Sequence, residues 1–355
     1  MTDQDAAGLM PSPRDVHARP RTPDTGSGLP WIDPDLRFAI RQAEAERPVA
    51  TPVTTGAEFE AIRELRTSYL ATLPSIDDMR RGGRIEAVEF DVPVAAGTAP
   101  AVLLRPAGTD GPLPVIFATA NGGKVIQSVA VGMSGTELDW VERLKVAMFI
   151  VSGRAGPEHP HPAQVEDSYA GLTWMAERAV ELGLDLDRLV LYGKSGGGGV
   201  AAATALYSRD HGGPAARHQL LIYPMLDDRE RHVSSRFEGV LWDRRSNRTG
   251  WRAILGEAAG GPDVSAYAAA GRATELAGLP ASYLEVGSAD VFRDETLDYA
   301  ARLGESGVPT EVHVWAGGLH AFELVNPQSS IAKQALGVRT DYLERALRPS
   351  FSTAR

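Results

Sequence analysis

Residues 189–199 read Leu189-Val-Leu-Tyr-Gly-Lys-Ser-Gly-Gly-Gly-Gly199, and Val200-Ala-Ala-Ala-Thr-Ala-Leu206 follows them. The first apolar run predicts a buried strand, and the alanine-rich run predicts a helix. Between the two lies the pattern G-x-S-x-G, which in a strand-to-helix turn is typical of a nucleophile elbow. Such an elbow presents the hydroxyl of Ser195 at the helix N-terminus. There the helix dipole and the amide of Gly196 favour a negatively charged oxygen.

The trio Gly193-Lys194-Ser195 also resembles the end of a phosphate-binding P-loop. That loop requires a glycine at the position where this chain has Arg188. Residues 188–192 are moreover needed for the strand itself, which leaves no loop to surround a phosphate. We therefore interpret the stretch as an elbow and not as a nucleotide site.

Strand and helix patterns alternate along most of the chain. Two alternating segments, 85–92 and 101–104, predict an antiparallel pair. Continuous apolar runs, typical of strands buried on both faces, lie at 115–117, 147–151, 189–192, 220–223, 283–286 and 312–315. Helical patterns lie at about 134–145, 163–182, 196–208, 293–305 and 329–347. This order predicts the α/β class, with a mostly parallel eight-stranded sheet covered by helices on both faces.

The N-terminal part has a different composition. Residues 1–30 contain five prolines and few apolar residues, so we expect a disordered tail. Two amphipathic helical patterns follow within residues 31–80, which we interpret as a helical cap segment. Residues 81–350 then form the catalytic domain, with a polar excursion from the core at about 226–278.

Composition excludes several function classes. The 36 Lys and Arg residues against 46 Asp and Glu give a net charge of −10, which argues against a nucleic-acid or anionic-membrane partner. The absence of cysteine excludes thiol nucleophiles and Cys-ligated metals. His159 and His161 have no third ligand at a suitable spacing, so no metal is expected. No apolar run approaches the about 20 residues of a membrane span, and no secretory signal is visible, so we expect a soluble, cytoplasmic protein.

A serine hydroxyl needs a base to take its proton and an acid to orient that base. Asp290 follows the strand pattern that ends near residue 287, and His320 follows the one that ends at 315. The order Ser, Asp, His is that of α/β-hydrolases, and strand ends are where open parallel sheets place their sites. Asp294 competes for the acid role, but it opens a helix, where a carboxylate has an ordinary capping explanation.

A second set of oxyanion donors is expected after the third strand. There the chain reads Ala120-Asn-Gly-Gly-Lys124. The amides of Gly122 and Gly123 can approach a carbonyl oxygen closely, together with that of Gly196. Asn121 and Lys124 beside them are candidate substrate-binding residues.

Taken together, these motifs resemble the bacterial members of the hormone-sensitive-lipase group of α/β-hydrolases, over about residues 31–347. The segments that carry the resemblance are the Ser195 elbow, 157–167, 220–227, Asp290 with 293–295, and 318–322. The resemblance implies the α/β-hydrolase fold, hydrolysis of carboxylic esters, a helical cap over the acyl pocket, no cofactor, and frequent homodimers.

The chain departs from the family pattern around the pocket. The family motif H-G-G-G reads Ala120-Asn121-Gly122-Gly123 here, and Y-R-L-A-P-E is Gly153-Arg-Ala-Gly-Pro-Glu158. We expect a serine esterase that cleaves a small to medium ester or lactone through an acyl-enzyme. Two alternatives stay open: a lyase or cyclase that uses His320 as a base, and a non-catalytic ligand-binding protein.

Lys194 replaces the aspartate that precedes the nucleophile in the family. One interpretation gives it a structural partner, with Glu158 and Asp167 as the first carboxylates to consider. The other has Lys194 and Lys124 recruit an anionic or strongly polar substrate, since a lysine attracts carboxylates without fixing their geometry.

Overall fold

The computed structural model describes residues 30–46, 58–238 and 241–349. Except for Pro30, the tail predicted over residues 1–30 lies outside the described residues. The helices are α1 Pro34–Glu46, α2 Glu58–Leu70, α3 Ile76–Met79, α4 Gly135–Leu144, α5 Ala163–Glu177, α6 Gly196–Asp210, α7 Arg244–Leu255, α8 Arg293–Glu305, α9 Phe322–Val325 and α10 Ser330–Ala346. The strands are β1 Ile85–Val94, β2 Gly97–Pro106, β3 Leu113–Thr119, β4 Ala147–Val151, β5 Leu184–Lys194, β6 His218–Ile222, β7 Ala281–Gly287 and β8 Thr310–Trp315.

The strands form one eight-stranded sheet in the order β1-β2-β4-β3-β5-β6-β7-β8. β2 is antiparallel to both β1 and β4, and the remaining neighbours are parallel. The predicted α/β class and the mostly parallel sheet are confirmed. The C-terminal ends of β3, β5, β7 and β8 therefore open on the same edge, where the predicted site residues follow them.

The predicted helix over 163–182 is too long at its C-terminal end. α5 stops at Glu177, and residues 178–183 form turns that end at Gly183, whose φ is +65°. A left-handed backbone at this glycine reverses the chain and lets β5 begin at Leu184, five residues before the predicted start. The first part of β5 pairs with Leu113 and Pro114, which the apolar pattern did not indicate.

Both faces of the sheet are covered. Every residue of β3 and β4 is buried, although successive side chains point to opposite faces. On one face, Ile116 belongs to a core that includes Trp140 of α4 and Leu343 of α10. On the other, Phe117 belongs to a core that includes residues of α5, α6 and α8. The continuous apolar runs predicted this two-sided burial for the central strands. The run at 312–315 is an exception, because β8 is an edge strand and its Val312 and Val314 are exposed.

The two N-terminal helices contact the segments that carry the predicted site. Leu36 of α1 is fully buried in a cluster with Leu319 and Phe322, the residues on either side of the His320 loop. Arg66 of α2 donates to the carbonyl of Val125 at 2.5 Å and pairs with Glu158 at 2.8 Å. These contacts fix α1 beside the histidine loop and α2 beside the glycine loop after β3.

The segment between β6 and β7, predicted as an excursion, contains α7 and short 3₁₀ turns. Trp251 of α7 is buried in the core, and Trp242, just before α7, faces the site. Within the described ranges no helix combines the length and the apolar character required to cross a membrane.

Candidate active site

The elbow between β5 and α6 is a strained turn. Ser195 has φ +55° and ψ −123°, a conformation that side-chain-bearing residues rarely adopt. The turn is so tight that a Cβ on Gly193 would lie 2.4 Å from backbone atoms of Gly197. Only glycine fits at position 193. The tight turn that it allows makes the hydroxyl of Ser195 project from the start of α6.

Ser195, His320 and Asp290 form a continuous hydrogen-bonded chain. His320 Nε2 lies 2.9 Å from Ser195 Oγ, and His320 Nδ1 lies 2.9 Å from Asp290 Oδ2. Asp290 is fully buried, and its Oδ1 accepts the amide of Phe292 at 3.0 Å. The carboxylate is thus fixed by the backbone after β7, and the imidazole is held between it and the hydroxyl.

Asp294, the competing acid, makes other contacts. Its Oδ2 accepts the amide of Ser234 at 2.9 Å, and its Oδ1 accepts Arg293 Nε at 2.6 Å. The structure therefore brings Asp290, and not Asp294, to the imidazole. Asp294 does lie in the first turn of α8, but the backbone amide that it accepts belongs to Ser234 in another segment, so the capping explanation given from the sequence does not describe its contacts.

Aromatic rings surround His320 on its remaining sides. The ring centroids of Tyr223, Phe292 and Trp242 lie 4.7, 5.2 and 6.2 Å from that of the imidazole. The rings of Tyr223 and Phe292 stand almost perpendicular to it, at 68° and 78°. Packing on several sides limits ring rotation and preserves both hydrogen bonds.

The expectation that three glycine amides serve an oxyanion requires a correction. The amide of Gly122 donates to the carbonyl of Ile126 at 2.8 Å, so it closes the glycine loop instead. Within the described part of the chain, the amides of Gly123 and Gly196 carry no such bond. The cause is the tight reversal over residues 122–126, which a G-G pattern alone does not specify.

The glycine loop approaches the elbow unusually closely. A Cβ on Gly196 would lie 2.7 Å from the amide nitrogen of Gly123 and 2.8 Å from Asn121 Oδ1. The side-chain oxygen of Asn121 accepts the amide of Lys124 at 2.8 Å, and its carbonyl accepts that of Gly197. Asn121 lines the pocket; its side-chain oxygen bonds within the glycine loop, and its carbonyl joins that loop to the elbow.

Lys124 points away from the pocket, contrary to its expected contact with substrate. Its side chain is 1% exposed, and its ammonium lies 5.1 Å from the centre of the Trp251 ring. Burial lowers the pKa of Lys124 to about 7, although the nearby Glu295 opposes this. The positive φ of +67° at Lys124 turns its side chain beneath α6, an orientation that sequence spacing could not indicate.

The partners expected for Lys194 are also wrong. Its ammonium lies 2.7 Å from Glu137 Oε1 and 3.9 Å from Glu323 Oε1. Glu158 pairs with an arginine of α2, and Asp167 pairs with Arg154 at 2.7 Å. The side chain of Lys194 runs toward Glu137 of α4. Because Glu137 lies 57 positions earlier in the chain, no sequence pattern indicated this contact.

A cavity of about 290 Å³ opens at Ser195. Its wall is mostly apolar and aromatic. The lining residues are Tyr69, Asn121, Gly122, Gly123, Ile126, Val131, Gly132, Lys194, Ser195, Tyr223, Leu241, Trp242, His320, Ala321 and Leu324. Most of the apolar lining residues were not predictable from sequence, because they come from five separate segments and follow no common spacing.

The part of the chain that the structure describes contains no candidate metal site. There, no three His, Asp or Glu side chains are grouped so that they could hold an ion.

Comparisons with known proteins agree with the fold. A family model described as "alpha/beta hydrolase fold" matches residues 121–324. The chain is 38% identical to the esterase LipI of Mycobacterium tuberculosis over 46% of this chain and 51% of LipI. It is 36% identical to the carboxylesterase NlhH of the same species, over 56% of this chain and 63% of NlhH. The chain thus spans about half to two thirds of these curated relatives.

Solved structures match over nearly the whole chain. A bacterial heroin esterase superimposes with a TM-score of 0.80 at 31% identity, covering 91% of this chain and all of that one. The esterase LipW of Mycobacterium marinum superimposes with a TM-score of 0.76 at 30% identity, covering 90% of this chain and 96% of LipW.

The burial of Lys124 predicts a pH-dependent effect of Lys124→Met on stability. An unfolded lysine keeps its usual pKa of 10.5, whereas the folded one has a pKa of about 7. Between these values the unfolded state binds more protons, so the stability of the wild type rises with pH. The variant lacks this dependence. Its advantage in free energy of unfolding should be largest below pH 7 and shrink by up to about 1.4 kcal/mol per pH unit toward pH 10.

Urea unfolding of both proteins at pH 6, 8 and 10 measures this difference. Lys333→Met, on the exposed side of α10, is the control and should show no comparable dependence on pH. A Lys124→Met effect that is constant with pH would contradict the burial argument.

Proposed function

The chain belongs to the α/β-hydrolase family, within its hormone-sensitive-lipase-type group, and we propose from this that it hydrolyses carboxylic esters, lactones included, through an acyl-enzyme. The observation that carries the proposal is the chain of two 2.9 Å contacts from Ser195 through His320 to Asp290. A nucleophile, a base and an orienting acid in this geometry are what acyl transfer requires.

In the first half-reaction, Ser195 Oγ attacks the carbonyl carbon while His320 Nε2 accepts its proton. The negative charge on the former carbonyl oxygen is stabilised by the amides of Gly123 and Gly196. His320 then gives the proton to the leaving alkoxy oxygen, and the C–O bond to the alcohol breaks. Asp290 remains ionised throughout and accepts a hydrogen bond from Nδ1–H of His320.

In the second half-reaction, water attacks the acyl carbon and His320 Nε2 takes one of its protons. The same two amides stabilise the second tetrahedral intermediate. Its collapse breaks the bond to Ser195 Oγ, which recovers the proton from His320, and the carboxylic acid leaves. The cycle consumes one water and restores the enzyme without any cofactor step.

The cavity favours a neutral ester with an apolar group. Among the described residues that line it, Lys194 is the one with a charged side chain other than the triad, and its ammonium is paired with carboxylates. Burial of hydrocarbon against an apolar wall stabilises a complex by about 25 cal/mol per Å² of buried apolar surface, whereas an anion finds no partner there. A volume of about 290 Å³ suits a small to medium acyl or aryl group.

An activated nucleophile can be detected directly. We expect a fluorophosphonate probe to label Ser195 stoichiometrically in the native protein and not after heat denaturation. Ser195→Ala should abolish labelling and lower kcat for p-nitrophenyl esters at least about 10³-fold, with an unchanged far-UV circular dichroism spectrum.

The outcomes of this experiment separate the alternatives. Turnover that survives Ser195→Ala would favour a lyase or cyclase with His320 as its base. Neither labelling nor turnover in the wild type would favour a ligand-binding protein. A screen of p-nitrophenyl esters of increasing chain length then defines the acyl preference.

Asp290→Asn and Asp294→Asn form a matched pair for the acid. An amide at position 290 no longer fixes the imidazole tautomer, so kcat should fall by about 10³- to 10⁴-fold. Asp294→Asn alters contacts with Ser234 and Arg293 and leaves the bond between Asp290 and the imidazole in place, so it should cost less than about tenfold. Equal losses in steady-state kcat would contradict the assignment of Asp290.

Gly196→Ala tests the oxyanion site through its geometry. The added Cβ would meet the amide nitrogens of Gly123 and Lys124 at 2.7 and 2.8 Å, so the loop must shift. Misplacing a donor should lower kcat by roughly 10- to 100-fold. Gly337→Ala on α10 is the control, because nothing lies within 4 Å of the Cβ that it adds. Full activity of Gly196→Ala would show that this close approach is not needed for catalysis.

A further inference from the structure

Lys194, directly before the nucleophile, is buried among charges that the mechanism above does not use. It is 7% exposed, and its ammonium lies 2.7 Å from Glu137 and 3.9 Å from Glu323. Its stem runs along the pocket wall near Gly132, so the charge reaches past the pocket and into the protein. Two carboxylates already neutralise this ammonium, and recruitment of an anionic substrate therefore does not explain it.

Glu323 connects this ion pair to the catalytic base. It lies in α9, three residues after His320, so the same short segment carries both side chains. Its Oε1 accepts the hydroxyl of Tyr223 at 2.6 Å, and the Tyr223 ring packs edge-on against the imidazole at 4.7 Å. A displacement of Glu323 would thus reach His320 both through the backbone and through this ring.

Glu137 anchors the other side of the ion pair. It is fully buried in α4, and its Oε1 also accepts the hydroxyl of Tyr192 at 2.6 Å. Burial alone would raise the pKa of Glu137, but the ammonium of Lys194 and the hydrogen bonds of Ser134 and Tyr192 outweigh it and lower the pKa to about 2. Glu137 is therefore a permanent anion, and Lys194 is its counter-charge.

The charges extend one step further to α10. Arg339 is fully buried, pairs with Glu285, and lies 3.5 Å from Glu323 Oε1. We call Glu137, Lys194, Glu285, Glu323 and Arg339 the buried charge network. Three carboxylates against two cations give it a formal charge of −1, in an interior where charges act over longer distances than in water.

We propose that Lys194 and Glu323 are positioning residues, which join the nucleophile elbow to the His320 loop and set the electrostatic potential at the imidazole. Lys194 is fixed to Ser195 by one peptide bond, and Glu323 belongs to the histidine segment. Their contact therefore holds the two halves of the serine–histidine pair together. The inference depends on the proposed function for its consequence in catalysis.

The sign of the electrostatic effect follows from the charge count. Removing the Lys194 ammonium changes the network from −1 to −2, which stabilises the imidazolium form of His320. Removing the Glu323 charge changes it to 0 and has the opposite effect. A unit charge about 10 Å away at an effective dielectric constant of about 20 displaces a titration by about one pH unit.

Other groups around His320 stay constant in this comparison. From the elements packed against it these are Asp290, Ser195 and the rings of Tyr223, Trp242 and Phe292. Arg293, a cation at the start of α8, bonds Asp294 and the carbonyl of Ser288.

The test compares Lys194→Met with Glu323→Gln. The acid limb of the kcat/KM profile for a neutral p-nitrophenyl ester should move to higher pH in Lys194→Met and to lower pH in Glu323→Gln, by roughly 0.5 to 1.5 pH units. Lys194→Arg keeps the charge and should restore the wild-type limb. Tyr192→Phe removes a hydroxyl from Glu137 without changing charge, so it should lower stability and leave the limb in place.

A titration of the His320 side chain by NMR, assigned with His320→Gln, gives the same comparison without turnover. It keeps the inference testable where the wild type hydrolyses no ester, an outcome that would overturn only the proposed function. Shifts of opposite sign would support the network. Unchanged midpoints, or shifts of the same sign in both variants, would overturn it. If Lys194→Met fails to fold, the direction of the Glu323→Gln shift decides alone.

Discussion

The site depends on one strained turn, the left-handed backbone of Ser195 between β5 and α6. This conformation directs the hydroxyl out of the sheet edge and places the first amides of α6 beside it. It persists because glycine at position 193 lets the chain fold back on itself, and because Asn121 accepts a hydrogen bond from Gly197. Strain of this kind costs about 1–3 kcal/mol, and the close packing around the elbow must compensate for that cost.

The parts of this arrangement that follow from strand order could be predicted from sequence. A parallel sheet brings the C-terminal ends of its strands to one edge, so residues after β5, β7 and β8 must meet there. This is why Ser195, Asp290 and His320, up to 125 positions apart, were identifiable by order and residue type. The sheet itself was predictable because strands buried on both faces must be continuously apolar.

The predictions that failed concern side-chain direction and local backbone reversal. Apolar or charged character indicates burial or pairing but not which way a lysine points. Lys124 was expected in the pocket and lies beneath α6, because its backbone is left-handed. Gly122 was expected to donate to substrate, but a reversal over residues 122–126 uses its amide within the loop. Glu137 lies on a helix distant in sequence, and its contact with Lys194 exists only after α4 packs on the sheet.

The lysine before the nucleophile is accommodated because the surrounding residues pair its buried charge. A cation at this buried position would cost several kcal/mol unless it were paired, so the residues around it must provide an anion. Glu137 provides this anion. Lys194 and the hydroxyl groups of Ser134 and Tyr192 in turn stabilise the charge of Glu137. Glu323 then gives the ammonium a second neighbour on the histidine segment. The residue before the nucleophile is therefore tied by ion pairs to the buried charge network, to which α4, α9 and α10 each contribute a charged side chain.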